Sequence, residues 1–391
     1  MSTLLLLIIY IVYIGLGLPD SITGAAWPAI YEELGIPVSA ESAVTVIISL
    51  CTVLASFFSA KIINKFGTGI VTAFSTLLTA IALIGNSFAP NLFWLCVCSV
   101  PAGFGAGAID AALNNYAALH YKPSQLSFLH CFYGIGVAAS PFIMSFALKN
   151  EGWRQGYRLV FYIQITITAI AFLSLIIWKK VSKENAEEEN FTPKNLSLIK
   201  MAKNKAIRIS WLVFFSTCAL EFTCNHWGAT FLVGSEGAAK DVAAEIVSLY
   251  FLGITSGRLV SGFLNKILKP QTIIVIGYGI VGIAITTLFL PVPVTVKGVA
   301  LFMIGLGNGP SFPNLTYLTP HYFGKSASQS IISSQMAMCN LGILIIPTIF
   351  GIIAEKISIK AFPVYALTLY AVIIISTAIY MNCAERNKNN A

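Results

Sequence analysis

Stretches of about 20 mostly apolar residues follow one another along nearly the whole chain, and this restricts it to a membrane fold, because a helix crossing the hydrocarbon core needs about that length. Of 391 residues, 57% are apolar and 10% are charged, against roughly 25% charged in a soluble globular domain. No water-soluble packing hides that much apolar side chain. Spans are expected near 4–30, 41–62, 68–88, 92–119, 125–148, 157–179, 207–233, 242–265, 271–290, 297–320, 327–353 and 361–382. Open sheet edges cannot face lipid, so spans this long should be helices. The first run lacks a cleavage-site pattern and continues through Asp20, so it reads as a spanning helix rather than a removed signal peptide.

The long hydrophilic stretch near 179–206 divides these spans six and six. The expected organisation is an all-α membrane protein of twelve transmembrane helices in two bundles, 1–180 and 207–391, joined by a cytoplasmic linker at 181–206. Lys and Arg fall mostly in loops. The side holding the linker and both termini carries 16 of them and the other side seven, and one more, Arg258, lies inside a span. Positive residues favour the cytoplasm, so a multi-pass protein of the cell (inner) membrane with both termini cytoplasmic is expected. The formal charge of +8 therefore speaks of orientation and not of a nucleic-acid partner. The eight Cys show no paired spacing for zinc or disulfides. No phosphate loop, metal-ligand set or nucleophile elbow appears, and no room remains for a soluble catalytic domain. An enzyme and a bound cofactor are therefore not expected, and the partners are the bilayer and a small-molecule substrate of a monomer.

The halves resemble each other. A shift of 201 positions places Asp20 on Glu221, Asn64-Lys65 on Asn265-Lys266, Tyr116 on Tyr317 and His120-Tyr121 on His321-Tyr322. Pro141 meets Pro347 after a further five residues. On the same shift Asp110 falls on Ser311, so the proton chemistry is expected mainly in the N-terminal half. Gly103-Phe-Gly-Ala-Gly107 and Gly305-Leu-Gly-Asn-Gly309 are GxxxG patterns in corresponding fourth helices, read as close helix packing and not as a nucleotide fingerprint. Parallel repeats of this kind place a substrate site near the bilayer midplane.

Of sixteen acids, three lie well inside spans: Asp20, Asp110 and Glu221. A charge near a helix centre costs roughly 2.5–3.5 kcal/mol on insertion scales, so these carboxyls should face the bundle interior or a wet cavity. There they either carry protons or fix helix packing. Helical spacing puts Tyr13, Gly17, Gly24 and Trp27 on the face of Asp20; Gly103, Gly107 and Asn114 on that of Asp110; and Thr217, Asn225 and Gly228 on that of Glu221. Such small, polar and aromatic stripes suit a sugar, whose hydroxyls bond to carboxylates and amides. Asn308, Asn314, Gln335 and Asn340 are further amides in apolar surroundings, each a ligand contact or an interhelical bond. Trp27 and Trp227 either line the site or join the interfacial belt. His130 and His226 either titrate or pack. Arg258 reads as a gate contact.

Two resemblances follow from these residues. The turn Ala60-Lys-Ile-Ile-Asn64-Lys65-Phe-Gly67 resembles the Gly-x-x-x-Asp-Arg-x-Gly loop of the major facilitator superfamily, with Ala, Asn and Lys in place of the first Gly, the Asp and the Arg. The resemblance implies the major facilitator fold and a gating role for Asn64 and Lys65. The stretch Gly105-Ala-Gly-Ala-Ile-Asp110-Ala-Ala-Leu-Asn114-Asn115-Tyr116 is similar to the fourth helix of the fucose–galactose–glucose:proton symporter group. Asn115 stands where that pattern has Pro. That group's first-helix Asp is matched by Asp20, and the His130-Cys-Phe-Tyr-Gly-Ile-Gly136 run and the Glu221…Trp227 segment also look like its relatives. The resemblance implies proton coupling and sugar recognition at Asp20 and Asp110. The expected function is proton-coupled sugar symport, with sodium the other candidate ion. An exporter or antiporter of amphipathic compounds, to which Gly134–Pro141 is a partial match, is the first rival. A non-transporting scaffold or sensor is the second.

Overall fold

The computed structural model describes residues 3–37, 40–188, 194–238 and 240–389. They form α1 (Thr3–Leu34), α2 (Glu41–Phe66), α3 (Thr68–Ser87), α4 (Leu92–His120), α5 (Pro123–Asn150), α6 (Trp153–Leu173), α7 (Leu175–Glu188), α8 (Leu198–Lys203), α9 (Lys205–Glu236), α10 (Lys240–Leu264), α11 (Pro270–Leu288), α12 (Val294–Asn308), α13 (Ser311–Phe323), α14 (Lys325–Lys356) and α15 (Phe362–Asn389). Ten stretches of the described residues are long and apolar enough to cross a bilayer, one of them Trp153–Val181, where α6 runs on into α7. The two remaining expected spans are built differently. Leu249–Leu264 is a shorter apolar helix within α10. The stretch 297–320 is α12 and α13, broken at Gly309-Pro310, where proline supplies no N–H to continue the ladder. The protein is an integral multi-pass membrane protein of the twelve-helix type. Of the stretch 181–206, residues 189–193 lie outside the described residues; the rest holds the end of α7 and the short α8.

Local chemistry sets the helix ends. The Asn204 side chain accepts from Ala206 N at 2.9 Å and Ile207 N at 3.3 Å, capping α9. Gly67 joins α2 to α3 at φ 84°, in the left-handed region that favours glycine.

Contacts gather the chain into two units, Met1–Tyr116 with Leu129–Asn195, and Ala117–Phe128 with Leu196–Ala391. Each unit draws its helices together at the same glycines. In unit 1, Gly103 and Gly107 of α4 lie against the carbonyls of Ile48 and Thr52 of α2, and Gly105 against that of Ser75 of α3. In unit 2, Gly305 and Gly309 lie against the carbonyls of Tyr250 and Ile254 of α10, and Gly307 against that of Gly277 of α11. Every residue in the second set stands 202 positions after its counterpart. A Cβ at any of these glycines would meet main chain, so only glycine allows the approach. A further crossing repeats too: Gly136 of α5 meets the carbonyl of Ile14 of α1, and Gly342 of α14 meets that of Phe215 of α9. Ile14 and Phe215 differ by 201 positions, Gly136 and Gly342 by 206. The uniform shift of 201 is thereby corrected. It holds for the first helices and for Asn64, Tyr116 and His120, and becomes 202 at the glycine contacts of the second to fourth helices, so Asp110 falls between a match at 202 and a match at 201.

Candidate functional site

Asp20 is placed by a tight crossing of α1 on α5. Gly17 and Gly136 bring the two backbones together. Pro141 of α5 has no N–H, which deprives the Val137 carbonyl of its helical partner. Ser21 of α1 makes up the loss, donating to Val137 O at 2.6 Å, and Ser140 of α5 returns a bond to Leu18 O, also at 2.6 Å. One turn before Val137, Tyr133 donates its hydroxyl to the Asp20 carboxylate at 2.6 Å. Asp20 is exposed on the protein surface. A charged carboxyl at this depth of a spanning helix is costly against lipid, which favours a polar or aqueous surrounding for it.

A second polar chain lies in the same unit. On α4, Asn114 turns its amide nitrogen to the Asp110 carboxylate at 2.7 Å and to the Asp110 carbonyl at 3.0 Å. That orientation leaves its oxygen facing His130 Nε2 at 3.1 Å. An amide oxygen only accepts, so this contact suits the His130 tautomer with its proton on Nε2. The Tyr13 ring meets the His130 ring edge-on at 5.5 Å, and the Tyr13 hydroxyl is buried with no bonding partner among the described residues. Tyr13 and Asp20 stand seven residues apart on one face of α1, so α1 carries both chains. Neither α1 nor α4 contains Lys or Arg, and the basic residue of α5, Lys149, lies in its last turn.

Unit 2 treats its acid differently. Glu221 of α9 pairs with Arg258 of α10 at 3.2 Å, the two side chains 15% and 9% exposed. Tyr250 of α10 donates to the main-chain carbonyl of Glu221 at 2.9 Å. Two residues to which the sequence gives separate roles, coupling and gating, are thus partners.

Three of the remaining amides of unit 2, Asn308, Asn314 and Gln335, tie helices. Asn308 donates to Thr217 O at 3.3 Å. Asn314 donates to Ser261 at 2.9 Å and to Pro310 O at 2.8 Å. Gln335 donates to Ser210 and accepts from Thr319, both at 3.0 Å. Asn340 bonds within its own helix to Met336 O at 2.9 Å. Trp227 donates to Pro347 O at 2.9 Å and packs edge-on against Phe350. Asn225 is half-buried one turn beyond Glu221. In unit 1, Trp27 and Asn115 are buried, Asn64 donates to Asn195 at 2.7 Å, and Lys65 lies over the ring of its neighbour Phe66. Of the glycines on the acid-bearing stripes, Gly17, Gly103 and Gly107 serve helix contact. Tyr133 is a partner of a candidate site residue that the sequence did not single out. It stands in the quoted His130–Gly136 run, three residues after His130 and on its face, and that spacing was the available signal.

The sequence model described as the Major Facilitator Superfamily matches residues 9–347. Bypass of stop codon protein 6 of Saccharomyces cerevisiae is 23% identical over 403 residues, covering 95% of this chain and 81% of that protein. The 3-(3-hydroxy-phenyl)propionate transporter of Escherichia coli is 24% identical over 286 residues, covering 70% of this chain and 69% of its own. Among solved structures, the E. coli fucose:proton symporter superposes with a TM-score of 0.77 at 14% identity, over 97% of this chain and 98% of that one. At that identity the likeness concerns the fold. With the family's pattern running through nearly the whole sequence and its helical architecture present in both units, the chain belongs to the Major Facilitator Superfamily of membrane transporters.

Proposed function

We propose that the protein is a secondary active transporter that carries a sugar together with a proton by alternating access. The observation that carries this reading is the pair of mid-span carboxyls in unit 1, each bonded to a neutral donor: Asp20 to the Tyr133 phenol and Asp110 to the Asn114 amide. A carboxyl held by a phenol, as Asp20 is, can lose and regain its proton without leaving a fixed cation unpaired. Asp20, the exposed one, loads the proton. Asp110 is joined to His130 through Asn114, so its charge bears on the ring at the far end of the chain, and the hydroxyl of Tyr13 stands beside that ring. Amides, carboxyls and aromatic edges are the groups that recognise sugar hydroxyls and C–H faces, and the fold likeness to a fucose:proton symporter agrees. A unit charge crossing 100 mV is worth about 2.3 kcal/mol, enough for one proton to drive useful accumulation. The proposed setting is the cell membrane, with both termini cytoplasmic and the chain acting as a monomer without a cofactor.

The test is uptake into proteoliposomes under an imposed pH gradient. Asp20→Asn and Asp110→Asn should express and insert normally but lose proton-driven accumulation of sugar. Undiminished uptake by both variants would sink the reading. Uptake driven by sodium and indifferent to pH would replace the coupling ion.

A further inference from the structure

Arg258 is the one Lys or Arg that the sequence sets well inside a span, away from its ends, and it is 8% exposed. Its guanidinium offers five N–H groups. One Nη2–H reaches the Glu221 carboxylate at 3.2 Å, and the Nε–H is buried with no acceptor among the described residues. A guanidinium meets a carboxylate best through two parallel bonds, so a single contact leaves part of the fork unused. A buried donor without a partner costs about 1–3 kcal/mol, which a purely structural pair could avoid by turning its fork fully onto Glu221. Tyr250 does not compete for that edge, because its hydroxyl is committed to the main-chain oxygen of Glu221. Asn225, half-buried on the next turn of α9, adds an amide beside the pair.

We propose that Arg258 and Glu221 form an anion-recognising position in unit 2, which takes the carboxylate of an acidic sugar. The sugar part of that ligand rests on the function proposed above; the carboxylate rests on Arg258. The incoming carboxylate takes the vacant Nε–H and an Nη–H of the guanidinium. Glu221, displaced from the cation, accepts one proton from water. One anion and one proton enter together, so the charge of the position is unchanged and no second carboxylate is left unneutralised beside one guanidinium. Asn225 bonds to a ligand hydroxyl.

The test uses the full chain purified in detergent. Calorimetric titrations compare D-galacturonate and D-glucuronate with their neutral parents, D-galactose and D-glucose, in buffers of different ionisation enthalpy. At least one acid should bind about tenfold or more tightly than its parent, with uptake of close to one proton per molecule bound. Arg258→Lys keeps a positive charge opposite Glu221 but loses the fork, and should erase about tenfold of the acid's advantage. Glu221→Gln should abolish the proton uptake that accompanies binding of the acid. Acids that bind no better than their parents overturn the proposal, as does proton uptake undiminished in Glu221→Gln. Neutral sugars carried with protons while the acids gain nothing would sink this inference alone. Failure of every sugar to bind, with no proton-coupled uptake, would sink the proposed function as well.

Discussion

In unit 1 the carboxyls of Asp20 and Asp110 accept from a phenol at 2.6 Å and an amide at 2.7 Å, whereas in unit 2 the carboxyl of Glu221 stands 3.2 Å from a guanidinium. The contrast arises within a duplicated frame. The same glycines close the same crossings in both units, and Asp20 and Glu221 occupy matching places on α1 and α9. A repeated scaffold has therefore been given two electrostatic uses. An acid held by a phenol, as Asp20 is, can change its protonation state at modest cost. An acid facing a fixed cation cannot do so unless something else neutralises that cation. On the two proposals above, unit 1 carries the proton and unit 2 answers an anion.

The sharpest way to break this comparison is to remove the cation. Arg258→Ala leaves Glu221 with an uncompensated charge in a mostly buried setting, and stability should fall by roughly 3–5 kcal/mol. Replacing both partners with apolar residues, as in Glu221→Leu with Arg258→Met, should restore much of that loss, since the desolvation penalty then disappears from both sides. Asp20→Asn in unit 1 keeps an acceptor for Tyr133 and should cost about 1 kcal/mol or less. Thermal unfolding of the four proteins in one detergent tests the ranking. If Arg258→Ala and Asp20→Asn prove equally mild, the two units hold their acids alike.

What is shared between the units has its own test. Gly136→Ala and Gly342→Ala each place a methyl group against a carbonyl of the facing helix, that of Ile14 or Phe215. The helices must move apart, at a cost of about 1–3 kcal/mol. Because the crossings are equivalent, the two losses in unfolding midpoint should match. A harmless Gly342→Ala beside a damaging Gly136→Ala would mean that the repeat is one of sequence and not of packing.

Much of this frame could be read from the chain. Apolar runs and breaks located the spans because bilayer thickness fixes helix length, and the GxxxG patterns foretold helix contact because only glycine admits a backbone so close. The three mid-span acids stood out because burying them is costly. Their partners were harder to find. Arg258 lies 37 residues from Glu221 and Tyr133 lies 113 from Asp20, and no helical period links positions on different helices. The same applies to Asn114. Its four-residue spacing from Asp110 was legible, but the turn of its oxygen toward His130 depends on how α4 meets α5. The break at Gly309-Pro310 marks the other limit. Hydropathy runs straight through it, while the backbone responds to the missing N–H.

The finest difference between the units lies in two tyrosines. Tyr133 gives its proton to the carboxylate of Asp20, and Tyr250 gives its proton to the main-chain oxygen of Glu221 at 2.9 Å. Each bond has a net worth of about 0.5–1.5 kcal/mol, so Tyr133→Phe and Tyr250→Phe should lower thermal stability by similar small amounts. Their effects on transport should diverge. Without Tyr133 the proton-loading carboxyl loses its one neutral donor from α5, and proton-driven uptake should fall about two- to tenfold. Without Tyr250 the helix contact weakens but no carboxyl changes partner, so uptake per folded molecule should hold. Initial rates in proteoliposomes, normalised to inserted protein, decide the matter. Equal losses from both variants would show that these tyrosines only brace helices, and Asp20 would then need another explanation for its place beside a phenol.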